Sequence, residues 1–141
     1  MECQYNDGGR AKAGYKGQTG DCVTRAIAIA TNKPYQEIYD LINEVAKTER
    51  TSSRKRGRSS ARTGVHRATM YKVMEQLGFK WIPTMRIGSG CKVHLKKDEL
   101  PNGRIIVNLS KHISAVIDGV IHDLYDPSRN ETRCVYGYWI L

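Results

Sequence analysis

His112-Ile113-Ser114-Ala115-Val116-Ile117-Asp118-Gly119-Val120-Ile121-His122-Asp123-Leu124-Tyr125 reads as a β-hairpin. Two runs rich in β-branched and apolar residues flank an Asp-Gly dipeptide. That dipeptide adopts the positive φ values that a tight turn between twisted strands demands. With Asp118-Gly119 as the turn, Ile117 faces Val120, Val116 faces Ile121, Ser114 faces Asp123 and His112 faces Tyr125. Directly paired residues share a sheet face. His112, Ser114, Asp123 and Tyr125 therefore share one, with Asp123 diagonal to His112, while His122 points to the other side. Asp126 falls on the opposite face in this register, and a bulge or strand end there would bring it round as the alternative acid.

Working outward, Arg104–Leu109 is a buried strand and Val135–Ile140 a further one. Phe79–Pro83 alternates like a strand, and Lys96–Leu100 is one helical turn. The chain before Phe79 is helical instead. A first helix opens near Cys22, with Thr19 or Asp21 as its cap, and carries Val23, Ala26, Ile27 and Ala30 on one face. Pro34 starts a second helix, whose Tyr35, Ile38, Leu41, Ile42 and Val45 recur at helical spacing to about Lys47. A third runs from about Val65 to Leu77, with His66 in its first turn and Gly78 as its stop. Residues 1–16 read as an irregular N-terminal arm pinned by Tyr5 and Tyr15. Helices first and antiparallel strands last make an α+β fold, and 141 residues suffice for one domain with one core.

The first helix is preceded by Gly17-Gln18-Thr19-Gly20-Asp21, so Cys22 stands at a helix N-terminus. Unpaired N–H groups and the positive end of the helix dipole lie there, and both favour thiolate, the nucleophilic form. A nucleophilic thiol needs an imidazole, and His66, His94, His112 and His122 are the choices. His112 alone comes with a diagonal carboxylate. Asp123 holding one ring nitrogen would leave the other free for the thiol. Asp21 opposes the thiolate unless it points away, with Arg25 one turn on to offset it. Cys91, in Gly90-Cys91-Lys92, is the competing thiol but has no helix behind it.

A cysteine opening an early helix, then a strand beginning with histidine, then an acid on the partner strand: this order resembles the papain-like cysteine peptidase superfamily, including its small relatives in bacteria and phages. The resemblance rests on Gly20-Asp21-Cys22-Val23-Thr24-Arg25-Ala26 and on His112–Pro127, and in element order it spans roughly residues 17–139. It implies a helix packed on a C-terminal antiparallel sheet, with Cys22 as nucleophile, His112 as general base and acid, and Asp123 as orienting acid. It also implies an oxyanion site at the Cys22 N–H, with Gln18 as side-chain donor. The activity implied is hydrolysis of a peptide or isopeptide amide, or acyl transfer, with a peptide or protein substrate and no cofactor.

Composition narrows the rest. Cys3, Cys22, Cys91 and Cys134 form no C-x-x-C pair, so they are expected as thiols in a reducing cytoplasm, with no metal site. No apolar run reaches the roughly 20 residues of a membrane helix. The N-terminus lacks signal-peptide character, which leads us to expect a cytoplasmic protein. Of 23 basic residues, seven (Arg50, Arg54, Lys55, Arg56, Arg58, Arg62 and Arg67) fall in a stretch without an acid, leaving 16 against 14 acidic residues elsewhere. Residues 50–63 read as a basic mobile loop on a nearly neutral body. The alternative function is therefore non-catalytic: binding of nucleic acid or an acidic protein through this segment.

Overall fold

The computed structural model describes residues 1–17, 19–49, 57–86 and 88–141. Their architecture is α+β. Helix α1 (Cys22–Thr31) is buried from Val23 through Ala30 and forms the centre of the molecule. It stops at Asn32, whose φ of 55° is the left-handed conformation that ends many helices. Helix α2 (Tyr35–Ala46) follows Pro34 and buries one stripe, Tyr35, Ile38, Ile42, Val45 and Ala46. Helix α3 (Arg67–Gln76) starts later than the apolar pattern predicts, and His66 sits just ahead of it, not in its first turn.

The strands are β1 (Cys3–Tyr5), β2 (Lys80–Pro83), β3 (Val93–His94), β4 (Arg104–Leu109), β5 (His112–Ile117), β6 (Val120–Asp123), β7 (Cys134–Val135) and β8 (Gly137–Ile140). Six form a sheet in the order β1-β6-β5-β4-β8-β2, and β3 pairs with β7 apart from it. The expected hairpin forms with the expected register: Ile117 opposite Val120 and Val116 opposite Ile121. Asp118 and Gly119 have φ of 48° and 81°, as a tight hairpin turn requires. The second strand ends at Asp123, short of Tyr125.

The sheet separates two cores. On one face α1, α2 and α3 pack through Ile27, Ile38, Ile42 and Val73 onto Ile106, Ala115 and Trp139. On the other, Leu95, Leu100 and Val135 cover Ile105, Val107, Val116 and Ile121. Each such side chain contributes roughly 1.5–3 kcal/mol on burial. Trp81 lies against β8 at Gly137, where a Cβ would overlap its ring. The missing side chain thus lets Trp81 and Trp139 pack together at a tilt, with ring centroids 4.4 Å apart.

Three expectations need correction. The arm is not wholly irregular: β1 runs parallel to β6, so the sheet is mixed. A three-residue strand is too short to show alternation, and its pairing comes from β6, whose outer edge it covers. Tyr5 is 72% exposed and pins nothing, whereas Tyr15 stacks on Tyr39 and donates to Gln36. Second, Cys91 and Cys134 form a disulfide, with Cα atoms 5.8 Å apart. The β3–β7 ladder brings them together, a long-range pairing that local spacing does not reveal. Third, residues 57–63, read from the sequence as part of a mobile loop, are held in place. Ser59 and Ala61 are buried, Ala61 N–H donates to Asn43, Thr24 donates to the Ala61 carbonyl, and Ser59 donates to Glu49. Arg50, Arg54, Lys55 and Arg56 lie outside the described residues.

Candidate active site

Three elements meet at one end of the sheet: the start of α1, the start of β5 and the end of β6. The α1 N-terminus brings Cys22 alongside β5, just past the point where β6 ends. The Ile113 N–H therefore has no strand partner on that side; it and the His112 imidazole lie beside the Cys22 sulfur and draw its pKa down. His112 Nε2 donates to Asp123 Oδ2 at 2.7 Å, which leaves Nδ1 as the nitrogen for the thiol. The expected trio Cys22, His112 and Asp123 is thus assembled. Ser114 donates to the same carboxylate oxygen at 2.7 Å, as the shared face requires. The ring of Tyr125 lies 5.4 Å from that of His112 and is half exposed over it.

The electrostatics follow from these contacts. Burial pushes the Cys22 thiol up, but hydrogen bonding and the positive charge of His112, then the Ile113 N–H and Arg25, outweigh it and bring it below its ordinary value. Burial works against the His112 cation, yet the bonds to Asp123 and Cys22 dominate and raise it to about 9. Burial likewise opposes the Asp123 carboxylate, while bonds from His112 and Ser114 hold it below the usual carboxylate range. All three shifts act in the direction of thiolate, imidazolium and carboxylate.

Asp21 is the departure from a simple helix start. It is 2% exposed and makes no side-chain cap. It turns inward: Oδ1 accepts from Arg25 Nε at 2.9 Å and Oδ2 from the Tyr35 hydroxyl at 2.7 Å, with Arg10 Nε 3.4 Å away. Arg25 also donates from Nη1 to Asp123 Oδ1 at 3.1 Å. A single guanidinium therefore bridges the acid beside the thiol to the acid behind the histidine. Arg10, Asp21, Arg25 and Asp123 alternate in sign, so this chain of charges is close to neutral. Sequence reading reached Arg25 only as an offset to Asp21 and missed Arg10 and Tyr35. The i to i+4 spacing of Asp21 and Arg25 was the available signal.

Other residues fall elsewhere. Asp126 accepts from the Ser128 N–H in a turn, and the carboxylate bonded to His112 is that of Asp123. The strand end that was to bring it round exists, but the chain caps its own turn there. Cys91 is consumed by its disulfide. His66 contacts the Gly57 carbonyl, His94 contacts Glu99, and His122 lies near Asn6. Gln18 lies outside the described residues. Thr19 lines the same groove, and its buried hydroxyl has no partner among the described residues. The groove holds about 410 Å³ and is bounded by Arg10, Thr19, Cys22, Lys111, His112 and Tyr125. Of the basic segment, Arg58 donates to the Lys47 carbonyl and Arg62 to that of Lys16.

Among the described residues no group of histidine, cysteine and carboxylate side chains has metal-site geometry, and no helix is long and apolar enough to cross a membrane. No family model, curated protein or solved structure matches this chain.

Proposed function

We propose that the protein is a cysteine hydrolase that cleaves a peptide or isopeptide amide, with the papain-like arrangement of Cys22, His112 and Asp123. The observation that carries this reading is that the His112 ring, held by Asp123 through Nε2, shares a groove with the Cys22 thiol and draws its pKa down. The Cys22 thiolate attacks the carbonyl carbon and the electron pair moves to oxygen. The oxyanion meets the Cys22 N–H, a first-turn donor with no intrahelical acceptor. As the tetrahedral adduct collapses, His112 gives its Nδ1 proton to the leaving amine. His112, now neutral, takes a proton from water, which attacks the thioester and releases the acid. An amine in place of water makes the same site an acyltransferase. Asp123 holds the ring in the required tautomer through Nε2, and Ser114 and Arg25 hold Asp123.

Iodoacetamide labelling of Cys22 at pH 6, followed by mass spectrometry, tests this. A thiol whose ionisation His112 favours should react several-fold faster than a free thiol, the larger thiolate fraction outweighing its lower nucleophilicity. His112→Ala should remove that advantage. A wild-type rate no higher than a free cysteine, unmoved by His112→Ala, would sink the proposal.

A further inference from the structure

A second depression continues the line of the thiol across the sheet. Ile113, whose N–H lies beside the Cys22 sulfur, is the strand partner of Asn108. Asn108 is the partner of Gly137, and Gly137 of Pro83. These steps cross three strand spacings, or about 14 Å at roughly 4.8 Å each. An extended polypeptide covers that distance in about four residues at ~3.4 Å per residue.

A trough of about 360 Å³ lies along this line, floored by Trp81, Pro83, Asn108 and Tyr136 and rimmed by Arg67 and Arg86. It shares Pro83, Met85 and Arg86 with an adjoining lobe of about 510 Å³ that adds Lys92. No carboxylate lines either part. Among the described residues none lies within ion-pairing distance of Arg67, Arg86 or Lys92. Arg67 is held in place instead by the Tyr71 hydroxyl, accepting from Nη2 at 2.9 Å.

Resting on the hydrolase reading, we propose that this trough binds an acidic stretch of the polypeptide substrate, about four residues along the chain from the bond that Cys22 attacks. Three cationic side chains with no internal counter-ion supply the charge, and the half-buried Met85 and Tyr136 accept the apolar stems of glutamate. A single-stranded nucleic acid is the poorer fit. Trp81 is engaged by Trp139 and Tyr71, which leaves little aromatic face for base stacking. A chain that continues from an attacked amide is itself polypeptide.

The test uses the full chain carrying Cys22→Ala and three fluorescein-labelled probes at low salt: hexaglutamate, hexalysine and a six-residue oligothymidylate. Fluorescence polarisation should show hexaglutamate binding at least tenfold more tightly than hexalysine. Arg86→Glu with Lys92→Glu should abolish that preference, while Arg86→Lys with Lys92→Arg should keep it. Equal binding of the two peptides, or a preference unmoved by the charge reversal, overturns the proposal. So does tighter binding of the oligothymidylate that the same reversal removes, because the trough is then a nucleic-acid site. If hexaglutamate binds as expected but Cys22 alkylates as an ordinary thiol, the acidic-peptide site stands and the hydrolase reading falls.

Discussion

Replacing Arg25 with methionine removes the guanidinium that joins Asp21 to Asp123. The side chains of Arg25, Asp21 and Asp123 are 8%, 1% and 2% exposed, so water does not fill the gap readily. Breaking a buried ion pair by deleting one partner costs about 3–5 kcal/mol. Asp21 keeps the Tyr35 hydroxyl and Arg10, and Asp123 keeps His112, Ser114 and the Leu124 N–H. Those remaining bonds argue for the lower figure, about 3 kcal/mol. At roughly 4 °C per kcal/mol for a domain of this size, the Tm at pH 7 should fall by about 12 °C. Asp123 is held below its ordinary value in the folded protein. Its contribution is therefore present above the unfolded carboxylate pKa and is lost as pH falls through the lower folded one. The difference between wild type and Arg25→Met should accordingly narrow below about pH 4. Differential scanning calorimetry across pH 3 to 8 measures both effects. A loss under 1 kcal/mol at pH 7, or one that does not depend on pH, would refute the bridging role, and adding Asp21→Asn should recover part of it.

Wild-type His112 should titrate near pH 9 by NMR, and Asp123→Asn should return it toward its ordinary value of about 6.5. Because the folded value is raised, the stability it contributes is complete below pH 6.5 and fades as pH rises through 9; His112→Gln should flatten that decline, and an unchanged slope would exclude it. Alkylation of the unfolded, unreduced chain should modify Cys3 and Cys22 alone, and four modified cysteines would disprove the Cys91–Cys134 link. Reducing that link, whose cysteines are 43 residues apart, should cost about 4 kcal/mol by loop entropy. Gly137→Ala should destabilise by about 1–3 kcal/mol through displacement of Trp81; a neutral result would show that Trp81 shifts freely.

What could be read from residues was what local chemistry dictates. Asp118-Gly119 set the hairpin turn, the turn set the register, and the register placed Ser114 and His112 on the Asp123 carboxylate. The Cys22 helix start and the apolar stripes of α2 and α3 were legible for the same reason. What was hidden depended on distant parts of the chain. Cys91 meets Cys134 because β3 finds β7, and neither two-residue strand has a pattern of its own. β1 pairs with β6 without an alternating signal. Residues 57–63 looked solvated because they carry little apolar surface, yet hydrogen bonds to Glu49 and Asn43 and from Thr24 hold their backbone in place. Asp21 read as a problem for the thiolate because its partners, Arg10 and Tyr35, come from other segments.

The site has a consequence for the life of the chain. Cys22 is synthesised before the two groups that draw its pKa down, His112 and the Ile113 N–H, which lie on a later strand. Until the hairpin closes and docks against α1, the thiol keeps the acidity of a free cysteine and is mostly protonated at neutral pH. Nascent or misfolded copies therefore carry an inert sulfur, so reactivity toward a mild electrophile counts the molecules that have completed their fold.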